Sequence, residues 1–186
     1  MYFHRHIEPV IERIAKRKSV IVLTGARQVG KSTMLKEVYS GINYVTLNTL
    51  LIRESAKENP SLFFDINKPP VIVDEIQKAG ELFEYIKDIV DEEKTKGQFY
   101  LTSSQSMKLM KNVTDSLAGR AGIIKMLGLS MRELNESKWR KPFLPVLEDM
   151  MNDEKKDVKF DYMEFVSYIH KGFYPELYET KSDLHD

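Results

Sequence analysis

Nine residues constrain this chain more than any others: Gly25-Ala-Arg-Gln-Val-Gly30-Lys31-Ser32-Thr33. They follow directly on Ser19-Val-Ile-Val-Leu-Thr24, a short β-branched apolar run that reads as a strand buried on both faces. A strand, then G-x-x-x-x-G-K-S, then a helix is the context that a phosphate-binding loop requires. Gly25 and Gly30 let the backbone fold tightly with its N–H groups turned inward, toward phosphate oxygens. Gly25, Ala26, Arg27, Gln28, Val29, Gly30, Lys31, Ser32 and Thr33 are therefore the candidate nucleotide-binding segment. The helix that opens at Lys31 adds the positive end of its dipole. Lys31 brings a full charge to the β- and γ-phosphates, and the Ser32 hydroxyl can ligate Mg²⁺.

The rest of the chain repeats the same rhythm. Ile7, Val10, Ile11 and Ile14 predict an amphipathic helix ahead of the first strand. Further strands are predicted at Tyr44–Asn48, Val71–Asp74, Gln98–Thr102 and Gly122–Leu127, with helices at Ser32–Tyr39, Leu51–Lys57, Glu81–Glu93 and Ser104–Asn112. Such alternation means βαβ units: an α/β fold with a mostly parallel sheet and helices on both faces. From about Ser130 the pattern changes. A short helix at Ser130–Glu136 precedes Trp139–Leu147, which holds two prolines, and the charged stretch Asp149–Lys159. Phe160–His170 is again helical, stopped by Gly172. The expected division is an ATP-binding domain over 1–135 and, over 136–186, a linker with the helical start of a second domain.

Val71-Ile-Val-Asp74-Glu75 supplies the second chemical element. An apolar strand ending in a carboxylate matches the Walker B pattern, so Asp74 is expected to hold Mg²⁺ together with Ser32. Glu75 is placed to polarise the attacking water. Small-molecule kinases have no need of that base. GTPases need a guanine-reading N-K-x-D, and Asn67-Lys68 is followed by Pro69-Pro70 instead. At the end of the fourth strand, Thr102-Ser103-Ser104 offers hydroxyls beside the γ-phosphate. Thr102 or Ser104 serves there as a sensor, or Ser103 or Ser104 simply caps the following helix. Arg120, after Gly119, either reaches a nucleotide in its own or a neighbouring subunit or is a solvated surface residue.

Composition narrows the field further. Lys and Arg number 28, as do Asp and Glu. A chain of zero net charge does not coat nucleic acid through bulk charge, although a local patch that binds it is not excluded. There are no cysteines, which removes disulfides, thiol catalysis and cysteine-ligated metals. His4, His6, His170 and His185 are too scattered for a metal cluster. No apolar run approaches the ~18 residues of a membrane span, so no membrane partner and a cytoplasmic location are expected.

Taken together, Gly-Ala-Arg-Gln-Val-Gly-Lys-Ser-Thr at 25–33, Val-Asp-Glu-Ile-Gln-Lys at 73–78, Leu-Thr-Ser-Ser at 101–104, Leu-Ala-Gly-Arg at 117–120 and Leu-Gly-Leu-Ser-Met-Arg-Glu-Leu at 127–134 resemble one family. It is the group of bacterial and archaeal AAA-type P-loop ATPases in which an N-terminal ATPase domain precedes a C-terminal domain of unknown function. The resemblance covers about residues 5–135, with a weaker echo to Tyr174. It implies a three-layer P-loop NTPase fold with strand order 5-1-4-3-2, ATP and Mg²⁺ as cofactors, Lys31 and Glu75 in catalysis, and homo-oligomers of the full-length protein. The family usually has Thr-Gly-Ser where this chain has Thr102-Ser103-Ser104. Three functions follow as candidates: an ATPase that drives or gates an attached effector module, a slow nucleotide-dependent binding switch, and a DNA-processing motor.

Overall fold

Val20–Thr24 forms the central strand β1, and all five of its residues are buried. In the computed structural model, which describes residues 2–105, 113, 115–135 and 161–179, β1 is flanked on both edges. On one side it pairs with β4 (Phe99–Ser103), Val20 opposite Phe99 and Thr24 opposite Ser103. On the other it pairs with β5 (Ala121–Lys125), Val20 opposite Ala121 and Thr24 opposite Lys125. Beyond β4 lies β3 (Val71–Asp74), and beyond that β2 (Asn43–Thr46). Every pairing is parallel, and the order β2-β3-β4-β1-β5 is the expected 5-1-4-3-2 read from the other edge.

Pleating divides each strand between two cores. Val20 and Val22 of β1, Val71 and Val73 of β3, and Phe99 and Leu101 of β4 face one side. There they meet Leu82, Phe83, Ile86 and Val90 of α5 (Leu82–Glu93). Ile21 and Leu23, Ile72 and Tyr100 face the other side. They pack on Ile11 of α1 (Glu8–Ala15) and on Met34 and Leu35 of α2 (Lys31–Val38). This is the three-layer α/β arrangement that continuous apolar strands require.

The connection from β2 to β3 holds two helices where the sequence predicts one. α3 (Leu50–Glu58) stops at Asn59, and α4 (Pro60–Ile66) starts at once. Asn59 caps the new helix by accepting the Leu62 N–H at 3.0 Å, and Pro60 fills its first turn. Phe63 and Phe64 then enter the core. The signal was the Asn-Pro pair, which ends one helix and begins another.

After β5 come α6 (Met131–Leu134), α7 (Tyr162–Lys171) and α8 (Glu176–Glu179). The expected helix Phe160–His170 forms as α7 and ends at Gly172, whose φ is +85°. The segment behind it meets the chain that follows β5: the Leu129 N–H donates to the Phe173 carbonyl at 2.7 Å. Most of the expected helix Ser104–Asn112, and the stretches Trp139–Leu147 and Asp149–Lys159, lie outside the described residues.

Phe83 is 1% exposed at the centre of the larger core. Phe83→Ala should lower unfolding stability by about 3–5 kcal/mol, read as a reduced urea midpoint.

Candidate nucleotide-phosphate site

The loop between β1 and α2 is shaped by two glycines that no other residue replaces. Gly25 has φ +155°, and a Cβ there would sit 2.2 Å from the Met126 carbonyl oxygen. Gly30 has φ +91° and immediately precedes α2. Between them the chain curls around its own lysine. Lys31 Nζ donates to the carbonyls of Gly25 at 3.0 Å and Ala26 at 2.7 Å. Lys31 is 5% exposed. Burial lowers its pKa, while the nearby Glu75 and Asp74 carboxylates pull it back up. Arg27, Gln28, Lys31 and Ser32 face Glu75 and Lys78 across a polar cavity of about 450 Å³. Thr33 lines it as well. Val29 does not: its side chain is buried in the smaller core.

Asp74 ends β3 under a crowd of hydroxyls. Ser32 Oγ and Thr102 Oγ1 both donate to its Oδ1, the latter at 2.6 Å. Tyr44 OH and Thr46 Oγ1, both on β2, donate to Oδ2 at 3.0 and 3.3 Å. Burial and the Asp74 charge push the Tyr44 phenol up to about 12, so it stays a proton donor across the physiological range. Thr102 is committed to this end of β3, because its oxygen also accepts the Glu75 N–H at 3.1 Å. It therefore props Asp74 and Glu75 rather than facing the open cavity.

Glu75 takes a left-handed backbone conformation, φ +59°, as the chain leaves β3 for a 3-10 turn at Ile76–Lys78. Such a conformation is strained for a residue with a side chain, and it turns the carboxylate toward the cavity. Ser104 Oγ donates to Glu75 Oε2 at 2.8 Å, and Gln77 Nε2 donates to the same oxygen. Ser104 thus touches the carboxylate expected to act as base. Gln77 was missed in the sequence, although it stands two residues beyond Glu75 in the quoted motif. Lys78 Nζ, at the cavity rim, donates to Asn48 Oδ1.

Arg5 is a second contact the sequence does not show. Its guanidinium is buried and donates to the Val29 carbonyl of the loop at 2.8 Å. It also donates to the Leu127 and Gly128 carbonyls at 2.8 and 3.0 Å. Its Nε lies 3.2 Å from Glu133 Oε1. Glu133 closes a capping box on α6 with Ser130, and also accepts the His6 N–H at 2.7 Å. Burial alone would raise the Glu133 carboxyl, but the Ser130 N–H, the Arg5 charge and the His6 N–H outweigh it and hold the carboxyl below its ordinary value. The sequence predicts only a short helix at Ser130–Glu136; the Ser-x-x-Glu spacing is the signal that could have found its cap, and a partner more than a hundred residues away leaves no such signal. Beside Arg5, a small cavity of about 30 Å³ lies against Tyr2, Phe3, Thr33, Leu129 and Pro175.

Arg120 is not part of this constellation. It precedes β5, next to Val20 at the start of β1, whereas the loop leaves the other end of the same strand. Its guanidinium grips Asp91 of α5 through Nε and Nη2, the latter at 2.7 Å. The structure therefore corrects the expectation that Arg120 can serve the nucleotide of its own chain: the length of β1 separates them.

Carboxylate and hydroxyl oxygens side by side, as at Asp74 and Ser32, are the hard donors Mg²⁺ prefers, so these residues fit that ion. Among the described residues no group of three or more His, Cys, Asp or Glu forms a protein-only cage. Also among the described residues, no helix is long and apolar enough to cross a membrane.

The family model described as "AAA domain" matches residues 17–135. The chain is 27% identical over 128 residues to an uncharacterized protein of Mycobacterium tuberculosis and, to the same degree, to one of Mycobacterium bovis. The match covers 68% of this chain and 29% of each relative, so the chain spans less than a third of their length. Among solved structures it is similar to AMPPCP-bound DnaA from Aquifex aeolicus, with 13% identity and a TM-score of 0.48 over 90% of this chain and 60% of that one. It is also similar to the Thermotoga maritima RuvB Holliday junction branch migration motor, with 17% identity and a TM-score of 0.46 over 78% and 49%.

Because Glu133 is held below the ordinary glutamate value of 4.5, the stability it contributes is complete above that pH and is lost as pH falls below it. Glu133→Gln should flatten the loss of melting temperature as the pH falls below the ordinary glutamate value of 4.5. Arg5→Met, which leaves a buried carboxylate unpaired, should cost about 3–5 kcal/mol at neutral pH in chemical unfolding.

Proposed function

Since the chain belongs to the AAA domain family, whose model matches residues 17–135, we propose that it binds ATP with Mg²⁺ at the glycine-rich loop and hydrolyses it to drive or gate an attached effector module. The observation that carries this reading is the juxtaposition of a buried lysine inside the loop with the Ser32–Asp74 pair beside it. In this reading Lys31 exchanges the Gly25 and Ala26 carbonyls for phosphate oxygens, a stronger partner for a desolvated ammonium. The first N–H groups of α2 face the same phosphates. Ser32 and Asp74 would hold Mg²⁺, which when bound would neutralise charge on the phosphates. Glu75 takes the proton of the attacking water. Ser104 Oγ and Gln77 Nε2 hold its Oε2, and Oε1 is the oxygen assigned to the base.

The same two bonds favour a second reading. A carboxylate restrained by Ser104 and Gln77 is a weaker base, as in a binding switch with very slow turnover. Single-turnover hydrolysis by the purified protein separates the two, since a switch stays loaded with ATP long after an ATPase has emptied. Arg120, in either reading, contributes only across a subunit boundary. Mixing Arg120→Ala with Glu75→Gln protein restores turnover if it does so, and restores none if it is structural.

Lys31→Ala should weaken ATP affinity at least tenfold by calorimetry, because a charge-assisted phosphate contact is worth about 1.5–3 kcal/mol. Glu75→Gln should bind ATP as before and lose turnover. Unchanged ATP affinity in Lys31→Ala overturns the assignment of the loop.

A further inference from the structure

Tyr44 stands in neither the loop nor the acidic motif, yet it reaches the carboxylate between them. Its hydroxyl donates to Asp74 Oδ2 at 3.0 Å, on the side of the carboxylate away from Ser32. Its ring is held from the other direction: Lys36 Nζ lies 3.7 Å from the ring centroid. Lys36 is four residues beyond Ser32, so both project from one face of α2. That single helix face thus supplies the Ser32 hydroxyl to Asp74 Oδ1 and a cation to the ring whose hydroxyl holds Oδ2. Thr46, two residues along the same face of β2, donates to Oδ2 at 3.3 Å.

We propose that Tyr44 is a positioning residue for Mg²⁺: it fixes the Asp74 carboxylate with Oδ1 aimed at Ser32, clamped by Lys36 and assisted by Thr46. The proposal rests on the reading of Asp74 and Ser32 as the Mg²⁺ anchor. Its physical basis is the asymmetry of the carboxylate. The donors on Oδ1 occupy the side from which a metal is held. The donors on Oδ2 do not compete with the metal; they stop the group from rotating and stabilise its charge. Hydrogen bonds of this outer kind commonly change metal affinity by about 10–100-fold when removed. With Thr46 still in place, the loss of the phenol hydroxyl should fall at or below the lower end of that range. Lys36 contributes less, since a cation over the ring face orients the ring but does not bond the oxygen.

The test is a Mg²⁺ titration of nucleotide binding on the full chain, with a fluorescent non-hydrolysable ATP analogue and EDTA as the metal-free reference. Tyr44→Phe keeps the ring and removes only the hydroxyl. Its analogue affinity in EDTA should match that of the parent, while the Mg²⁺ concentration that half-restores tight binding should rise about three- to tenfold. Thr46→Val should shift that midpoint in the same direction, and Lys36→Met by a smaller factor. An unchanged or lowered midpoint in Tyr44→Phe overturns the proposal. So does an equal loss of affinity with and without Mg²⁺, which marks a merely structural role. If Tyr44→Phe does not fold, Thr46→Val decides by the same criterion. A parent protein whose analogue affinity is the same in EDTA and Mg²⁺ overturns the metal assignment of Asp74 itself, and is distinguishable because the variants then have no midpoint to shift.

Discussion

The Asp74 carboxylate is the point at which four elements of this domain are held together. It is 4% exposed, and a buried charge of this kind is tolerated only where its oxygens are bonded. Here the donors come from α2, from β2 twice, and from β4. Each of these donors is a hydroxyl, so the charge is held by hydrogen bonds and not by a salt bridge, while it also acts on the nearby Lys31 ammonium.

The sheet order makes that convergence possible. β4 lies between β1 and β3, so the strand that carries Thr102 and leads into Ser104 separates the loop-bearing strand from the acidic one. In a parallel sheet all the strands end on the same side, and the residues just beyond them share one rim. The register makes this concrete: Leu101 is level with both Val22 and Val73. One residue farther along β4, Thr102 reaches both Asp74 and the Glu75 N–H. A slip of one residue in β4 would turn Thr102 to the opposite face and strip both carboxylates of their support.

Much of this was legible in the chain itself. Continuous β-branched runs announced buried parallel strands, and the glycine spacing announced the loop. What escaped the sequence were contacts between side chains far apart in it. Tyr44 reads as one more apolar residue of an edge strand, and Arg5 as one charge ahead of a helix. No local periodicity reports that one reaches Asp74 and the other Val29. Arg120 teaches a different lesson. Its position was derivable, because a residue just before a parallel strand lies at the opposite end of the sheet from residues just after one. The Gly119-Arg120 pair suggested reach, but strand polarity decides the matter, and Asp91 of α5 is what awaits the guanidinium there.

Lys31 and Arg5 solve one problem in opposite ways. Each is a buried cation beside the loop, and each is solvated chiefly by backbone carbonyls. Lys31 has flexible, rotatable donors and is bonded only to its own loop. Those bonds are replaceable by any anion that offers more than two carbonyls do. Arg5 presents a rigid fork to carbonyls of three residues in two separate segments, and its Nε lies against Glu133 as well. Detaching it would orphan several buried acceptors at once and leave Glu133 without its ion pair. The loop is thus pinned at Val29 by a cation that cannot leave, while it surrounds a cation that can. A binding loop needs that difference: its frame stays fixed while the charge at its centre changes partners.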